Sequence, residues 1–292
     1  MRIGLICTIA IAAVALACSS DRSYAPPGTV LTDAQVSADV ASSAGIAVAS
    51  SIDDQAQYLD HAGISAAVNT PSAPGLSGGT PAPIAGGTSA PSGTKPVCSY
   101  SAATGRWTCA PFVNAHGLTV LWSYAYSDAV GKPMEKYDAL ATEKIDYRSQ
   151  LSGPVGNGTS FVGVTHRTSE QTSSGLAGRE TTRVWNGVGV SGDTVSYHDA
   201  SGGSRRYAGI EIDSVKAVTY RQPRTPGSYP LSGQLVRVAR YTVTAAGKSN
   251  ETRSVSRTVD TTFDGSADVS IRLGSMSCTL HLATRKVDGC VG

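Results

Sequence analysis

The sequence predicts an all-β fold for most of its 292 residues. Beyond residue 97, apolar and polar residues alternate in short runs, Val and Thr are frequent, and turn-forming clusters separate the runs. No stretch after Gly117 has a sustained helical period, so a parallel sheet with crossover helices is not expected. We therefore expect an antiparallel meander of about ten strands, forming a barrel, a half-barrel or two layers. A short helical segment and a disordered tether precede it.

The amino terminus has the features of an export signal. A single charge at Arg2 precedes an apolar run from Ile3 to Leu16, which is too short to span the roughly 30 Å hydrocarbon layer of a bilayer. The residues Ala15-Leu16-Ala17-Cys18 resemble the lipobox of bacterial lipoproteins, with Ala15 at a position where that family more often has Leu. Residues 1–17 are accordingly predicted to be a signal peptide.

The lipobox resemblance implies a lipid anchor on Cys18. In that family a diacylglyceryl group is attached to the thiol and an acyl chain such as palmitate to the new amine, so residues 18–30 would form a membrane-anchored amino terminus. Ser19 after the modified cysteine implies sorting to the outer membrane rather than the inner one, facing the periplasm. The alternative is ordinary secretion with Cys18 as a free thiol. An odd cysteine count after removal of Cys7 favours lipidation.

Two segments of different composition follow. Residues 31–62 are rich in Ala, Ser and Asp, and Thr32 and Gln35 have the spacing of a capping box. They predict a helix, interrupted near Ser50, that would be marginal alone because its apolar side chains are small. Residues 63–96 are rich in Pro, Gly and Ser, which predicts an extended linker that holds the following domain away from the membrane.

The β domain is predicted to cover residues 97–292. Large apolar residues occupy the even positions from Leu118 to Tyr126, so one face of this strand is buried and the other is wet. The same pattern covers Ala141 to Leu151. Further strands are predicted at 159–172, 179–190, 193–200, 205–221 (as two strands), 234–245, 251–263 and 267–273.

Four cysteines lie in two short segments of this domain. The segment from Cys98 to Cys109 fits a hairpin with Gly105 in the left-handed position, and this register sets the two cysteines directly opposite each other. The segment from Cys278 to Cys290 matches it with one extra residue, which a bulge would absorb. Local disulfides are favoured over the two crossed connectivities. Neither pair has the two-residue spacing of a redox couple.

Several motif matches fail in their context. The G-x-G-x-x-G match at 187–192 continues as a strand rather than a helix, and the G-x-S-x-G match at 75–79 lies in the linker. The five His have no metal-like spacing, and His198 and Asp199 point to opposite faces of a strand. The aspartates around the turn at Asp264 suit a hairpin without an ion. We therefore expect no cofactor, no metal and no catalytic residue.

The charge distribution is uneven. Residues 1–96 have three basic and six acidic side chains (−3), whereas residues 97–292 have twenty-one and sixteen (+5). A net charge of +2 does not indicate a nucleic-acid-binding protein. Arginines of the meander are candidates for contact with anionic lipid or cell-wall polymer. They are Arg205, Arg206, Arg221, Arg237, Arg240, Arg253 and Arg257. The alternative for these residues is cross-strand pairing with acids such as Glu211 and Asp213.

Two functions are consistent with these observations. The first is a non-enzymatic cell-envelope lipoprotein whose β domain binds or scaffolds a partner. The second is a carrier in which the curved sheet shelters a hydrophobic or lipid ligand. An enzyme is not expected because no nucleophile, metal site or acid–base pair is apparent.

Overall fold

The computed structural model describes residues 31–61, 96–114, 117–156, 161–178, 181–198, 203–222, 228–246 and 251–292. The predicted signal peptide, Cys18, and the predicted linker with its G-x-S-x-G match lie outside the described residues. The described chain forms one helix, α1 (Asp33–His61). Its strands are β1 (Cys98–Ser101), β2 (Arg106–Cys109), β3 (Phe112–Val113), β4 (Thr119–Ser127), β5 (Pro133–Met134), β6 (Lys144–Gly156), β7 (Phe161–Ser174), β8 (Thr182–His198), β9 (Ser204–Arg221), β10 (Ser232–Ala246), β11 (Glu251–Thr262), β12 (Asp268–Leu273), β13 (Met276–His281) and β14 (Lys286–Val291).

All strands belong to one antiparallel sheet in which successive strands are neighbours. The order is β1-β2-β4-β6-β7-β8-β9-β10-β11-β12-β13-β14, with β3 and β5 paired to β4. The predicted all-β antiparallel meander is therefore confirmed. Among the described residues no pairing joins β14 to β1, so the sheet is open rather than a closed barrel.

The central strands are longer than the sequence suggested. The predicted strands 179–190 and 193–200 are one strand, β8, because Ser191 and Gly192 continue the register opposite Glu211 and Ile210. The two strands predicted within 205–221 are likewise one strand, β9. A bulge at Ala217, whose φ is 50°, bends β9 without ending it.

Helix α1 is continuous through Ser50, so the predicted interruption is absent. Its capping box is confirmed: the Gln35 N–H donates to Thr32 Oγ1 at 3.2 Å, and the Thr32 N–H donates to Gln35 Oε1 at 3.3 Å. The small side chains on its buried side allow close packing against the sheet. Those with almost no exposed surface are Val36, Val40, Ala41, Ala44, Val48 and Ile52. The part of the chain that the structure describes contains no candidate membrane-spanning helix.

The sheet curves around α1. Asp39 contacts Tyr207 of β9, whereas Gly45 lies against Leu280 of β13 and Val287 of β14. The two helix residues are about 9 Å apart along the axis. Strands β9 and β13 are separated by three others, which corresponds to roughly 19 Å across a flat sheet. The helix is therefore contacted from two sides. We call the sheet face that contacts α1 the inner face and the opposite one the outer face.

Both predicted disulfides are present in the structure. Cys98 is bonded to Cys109, in the predicted register and with Gly105 at a φ of 63°. Cys278 is bonded to Cys290. The predicted bulge lies at Gly289, where φ is 62°. The disulfides therefore close the first and last hairpins of the sheet.

Candidate binding face

The inner face is filled by α1 and is held by polar contacts. Asp39 accepts hydrogen bonds from Arg205 Nε at 2.7 Å and from Arg205 Nη2 at 3.2 Å. The Tyr207 hydroxyl donates to the same carboxylate at 2.6 Å, and the Tyr197 hydroxyl donates to the Asp39 carbonyl at 2.9 Å. Burial of Tyr207, together with this carboxylate, raises the pKa of its phenol. These contacts fix the amino-terminal half of α1 on β8 and β9.

The carboxyl-terminal half of α1 is held in the same way. Gln55 donates from Nε2 to Gln171 Oε1 at 3.2 Å and accepts from the Tyr220 hydroxyl at 2.7 Å. The Tyr58 hydroxyl donates to Ser149 Oγ at 2.8 Å, and its ring stacks on Trp122 with centroids 5.9 Å apart. Burial raises the pKa of Tyr58. The helix therefore makes specific contacts with the inner face from Asp39 to Tyr58.

A cluster of buried charges lies on the inner face of β9 and β10. Arg237 donates to Asp213 from Nε at 2.7 Å and from Nη2 at 2.9 Å, and it also donates to Glu211. The Tyr241 hydroxyl donates to Glu211 as well. Burial raises the pKa of Glu211, whereas Arg237 and Arg167 outweigh burial and lower the pKa of Asp213. Sequence analysis gave this pairing as the alternative for Arg237.

Neighbouring strands and α1 extend the cluster. Arg167 of β7 lies 3.5 Å from Asp213 and 3.9 Å from Asp54 of α1, measured from guanidinium nitrogen to carboxylate oxygen. The Ser191 hydroxyl donates to Asp193 at 2.9 Å. Glu211 and Asp213 are compensated by arginines within the fold, as a buried charge requires, whereas Asp193 Oδ1 has no hydrogen-bond partner among the described residues. The cluster therefore has a structural role, because it is part of the sheet surface on which α1 packs.

The polarity of the central strands is inverted relative to an ordinary one-sided sheet. Where the inner face carries these charges, the outer face of β8, β9 and β10 carries aliphatic side chains. Val190 lies opposite Ile212, which in turn lies opposite Val238. Val188 and Ile210 are 56% and 53% exposed. We call this surface the outer patch, and it consists of Val188, Val190, Ile210, Ile212, Val236 and Val238.

The inversion matters because a sheet with one buried face normally places its polar side chains in water. Here strands β8 to β10 expose β-branched apolar residues instead. Contiguous exposed apolar surface of this kind marks interaction sites in soluble proteins. The outer patch is therefore the candidate binding surface.

A polar groove borders the outer patch. It lies across the outer faces of β6, β7 and β8 and has a volume of about 470 Å³. Two arginines, two acids and one residue of the outer patch contribute side chains to it: Arg106, Arg148, Asp146, Glu170 and Val188. We call it the arginine groove. It combines charged groups with an apolar margin.

The arginines singled out in the sequence occupy different environments. Arg205 and Arg237 are buried in the ion pairs described above. Arg253 and Arg257 are partly buried and lie 2.8 Å and 3.3 Å from Asp33 of α1. Arg206, Arg221 and Arg240 are exposed. Contact with an external anion therefore stays a prediction for these three.

Other predicted features are placed as follows. His198 is exposed at the end of β8, and Asp199 lies outside the described residues. The G-x-G-x-x-G match at 187–192 lies inside β8 as an extended strand. His281 is flanked by Asp268 at 2.6 Å and Asp288 at 3.0 Å. Among the described residues, no group of three His, Cys, Asp or Glu side chains is arranged to hold a metal ion.

Sequence analysis missed Arg106 and Arg148. Each is the only arginine of its strand, whereas the predicted anion contacts lie in the stretch richest in arginine. A usable signal was present in the alternation of buried and outward residues along β2, β4 and β6. Both arginines occupy outward positions, and so do the small residues Ser123 and Ala125 of the intervening strand β4. Comparisons of the chain with models of protein families, with curated proteins and with solved structures find no match.

Proposed function

We propose that this chain is an exported cell-envelope lipoprotein whose β domain binds or scaffolds a partner through its outer face and catalyses no reaction. The anchor would be lipid on Cys18, in the outer membrane. Pairing of four cysteines in two disulfides supports this, because Cys18 is then the odd cysteine of the mature chain.

The observation that carries the binding role is the inverted polarity of β8 to β10. Apolar side chains on the outer face would be stabilised by contact with a second apolar surface. Their regular β-branched character suits packing against another sheet or a helix. Nucleic acid is not the proposed partner, since the six residues of the outer patch are all aliphatic and the exposed Arg240 lies only at its edge, opposite Ile210.

The carrier is the second candidate, and the placement of α1 counts against it. A hydrophobic ligand on the inner face would have to replace α1 together with its contacts from Asp39, Gln55 and Tyr58. These contacts are polar and specific. Any ligand that displaced the helix would leave the buried partners of these three residues unsatisfied.

The anchor is tested by growing cells with labelled palmitate. We expect the wild-type chain to take up label and to sediment with membranes, and the variant Cys18→Ser to do neither. Cys98→Ser with Cys109→Ser is the control, since it removes cysteines without touching the lipobox. A wild-type protein that is unlabelled and free in the culture fluid would refute the anchor.

The outer face is tested by photo-crosslinking in intact cells. A photoreactive residue replaces Val190 or Ile212 in the outer patch, or Ser270 on the outer face of β12 as the control. We expect a discrete crosslinked product from the two patch positions only. If the patch positions give no product, or no more than Ser270, the proposed binding surface is wrong.

A further inference from the structure

The arginine groove owes its shape to a side chain that crosses a strand. Arg106 of β2 extends over β4, where the neighbouring outward residues are Ser123 and Ala125. Its Nη2 donates to the Ser123 carbonyl and to the Asp146 carbonyl of β6, both at 3.2 Å. The small side chains of β4 leave room for this path. The guanidinium is thereby fixed by the backbone rather than by an acid.

Arg148 brings a second guanidinium to the same groove. It is the outward neighbour of Asp146 on β6, and its Nε lies 3.3 Å from Glu170 Oε1. Burial and then the charge of Arg148 lower the pKa of Arg106, and together they outweigh the nearby carboxylates of Asp146 and Glu170, which raise it. The Nε of Arg106 is buried and has no hydrogen-bond acceptor among the described residues. The positive charge of Arg106 is thus held close to another one without a carboxylate bonded to it.

The acids of the groove are already engaged. Asp146 accepts a hydrogen bond from the Thr172 hydroxyl at 2.7 Å and lies 3.2 Å from Lys144. Glu170 contacts Arg148 through an exposed pair, which contributes little because water and salt screen it. An incoming anion therefore competes with Glu170 for Arg148 and meets a second guanidinium group on Arg106, while Lys144 offsets the charge of Asp146.

We propose that the arginine groove is an oxyanion site that binds the phosphate group of an envelope molecule between Arg106 and Arg148. Guanidinium groups bind phosphate through paired, charge-assisted hydrogen bonds. The proposal deepens the proposed function, on which it rests, because the site adjoins the outer patch at Val188. A phospholipid headgroup and a phosphate-bearing polymer share this chemistry.

The binding test is a calorimetric titration of the purified mature chain, with α1 and the β domain both present, using inorganic phosphate and glycerol 3-phosphate at low salt. We expect Arg106→Gln and Arg148→Gln each to weaken binding about tenfold or more. The matched control is Arg272→Gln, an exposed arginine on the outer face of β12. Thermal unfolding of each variant shows whether it is folded. If Arg106→Gln does not fold, Arg148→Gln still tests the site, because Arg148 is exposed and its loss should not disturb the fold.

A substitution that should strengthen phosphate binding distinguishes an anion site from a purely structural ion pair. Glu170→Gln removes the carboxylate that competes for Arg148, so phosphate binding should become severalfold tighter. A purely structural Arg148–Glu170 pair would give no gain. Vesicles of phosphatidylcholine with and without phosphatidic acid then identify the source. Binding only to the acidic vesicles assigns the site to lipid, and binding to soluble phosphate esters but not to vesicles assigns it to polymer.

Two results would overturn the proposal. One is the absence of phosphate binding by the wild-type mature chain, and the other is equal weakening in Arg272→Gln and in the groove variants. Neither result bears on the outer patch, since the titration needs no partner and no anchor. Failure of the crosslinking experiment would conversely leave the titration unchanged.

Discussion

Asp39 of α1 and Arg205 of β9 form a bidentate ion pair inside the molecule, although they are 166 positions apart in the chain. Both side chains are about nine-tenths buried, with 10% and 8% of their surface exposed. The pair therefore joins the amino-terminal segment to the middle of the sheet. It makes α1 part of the β domain's core even though the linker 63–96 lies between them in sequence.

Removing one member of this pair should be costly. Asp39→Asn leaves Arg205 buried without a full countercharge, so the free energy of unfolding should fall by about 3–5 kcal/mol. Urea denaturation measures it. The control is Asp33→Asn, whose side chain is 78% exposed and should cost less than about 1 kcal/mol. Equal losses in the two variants would contradict the burial of the ion pair between Asp39 and Arg205.

A side chain at Gly45 should also loosen the helix. A Cβ there would lie 2.5 Å from a methyl carbon of Val287 and 3.2 Å from Leu280, although Ala would otherwise favour the helix by about 1 kcal/mol. We expect Gly45→Ala to lower the unfolding midpoint, and Val287→Ala added to it to restore part of the loss. A stabilised single variant would show that β14 does not pack on α1.

The carboxyl-terminal hairpin should respond to pH through His281. Its hydrogen bonds with Asp268 and then Asp288 raise the pKa of its imidazole above the ordinary 6.5. The resulting stabilisation is present below the unfolded-state pKa and is lost as the pH rises through the folded-state pKa.

The measurement is the unfolding midpoint of wild type and His281→Gln at about pH 5.5 and pH 8. We expect the wild type to exceed the variant at the lower pH and the difference to shrink at the higher one. A difference that is constant or grows with pH would refute the carboxylate contacts.

Deletion of residues 31–61 should expose the inner face. Charges such as Arg237 and Glu211 would then meet water beside uncovered aromatic rings. We expect strong binding of a hydrophobic dye and loss of cooperative thermal unfolding. Deletion of residues 70–85 from the linker is the control and should leave both readouts unchanged. Normal unfolding without α1 would mean that the sheet is stable alone and would revive the carrier.

The sequence was informative wherever the interactions are local. The register of the Cys98–Cys109 hairpin follows from one turn and the identity of Gly105. The capping box of α1 depends on residues three apart. In both cases the interacting atoms belong to one short segment, so spacing alone determines the geometry.

The long-range features were not predictable for a physical reason. A period of two residues separates the faces of a strand but does not tell which face is buried. In β9 the charges of Glu211 and Asp213 resembled a wet face, and Ile210 and Ile212 resembled a core. The charged face of β9 is nevertheless the buried one, because α1 packs on it. Since α1 lies more than a hundred residues earlier in the chain, the local pattern of β9 does not reveal this contact. Ser191 and Gly192 resembled a turn because such residues are typical of one, yet pairing on both sides holds them extended.

The contact of Gly45 with Leu280 and Val287 sets an order of events during biogenesis. The helix is made early by the ribosome, but Leu280 and Val287 are made more than 230 residues after Gly45. Native packing of α1 therefore waits until that distant part of the chain is available, and this high contact order slows folding.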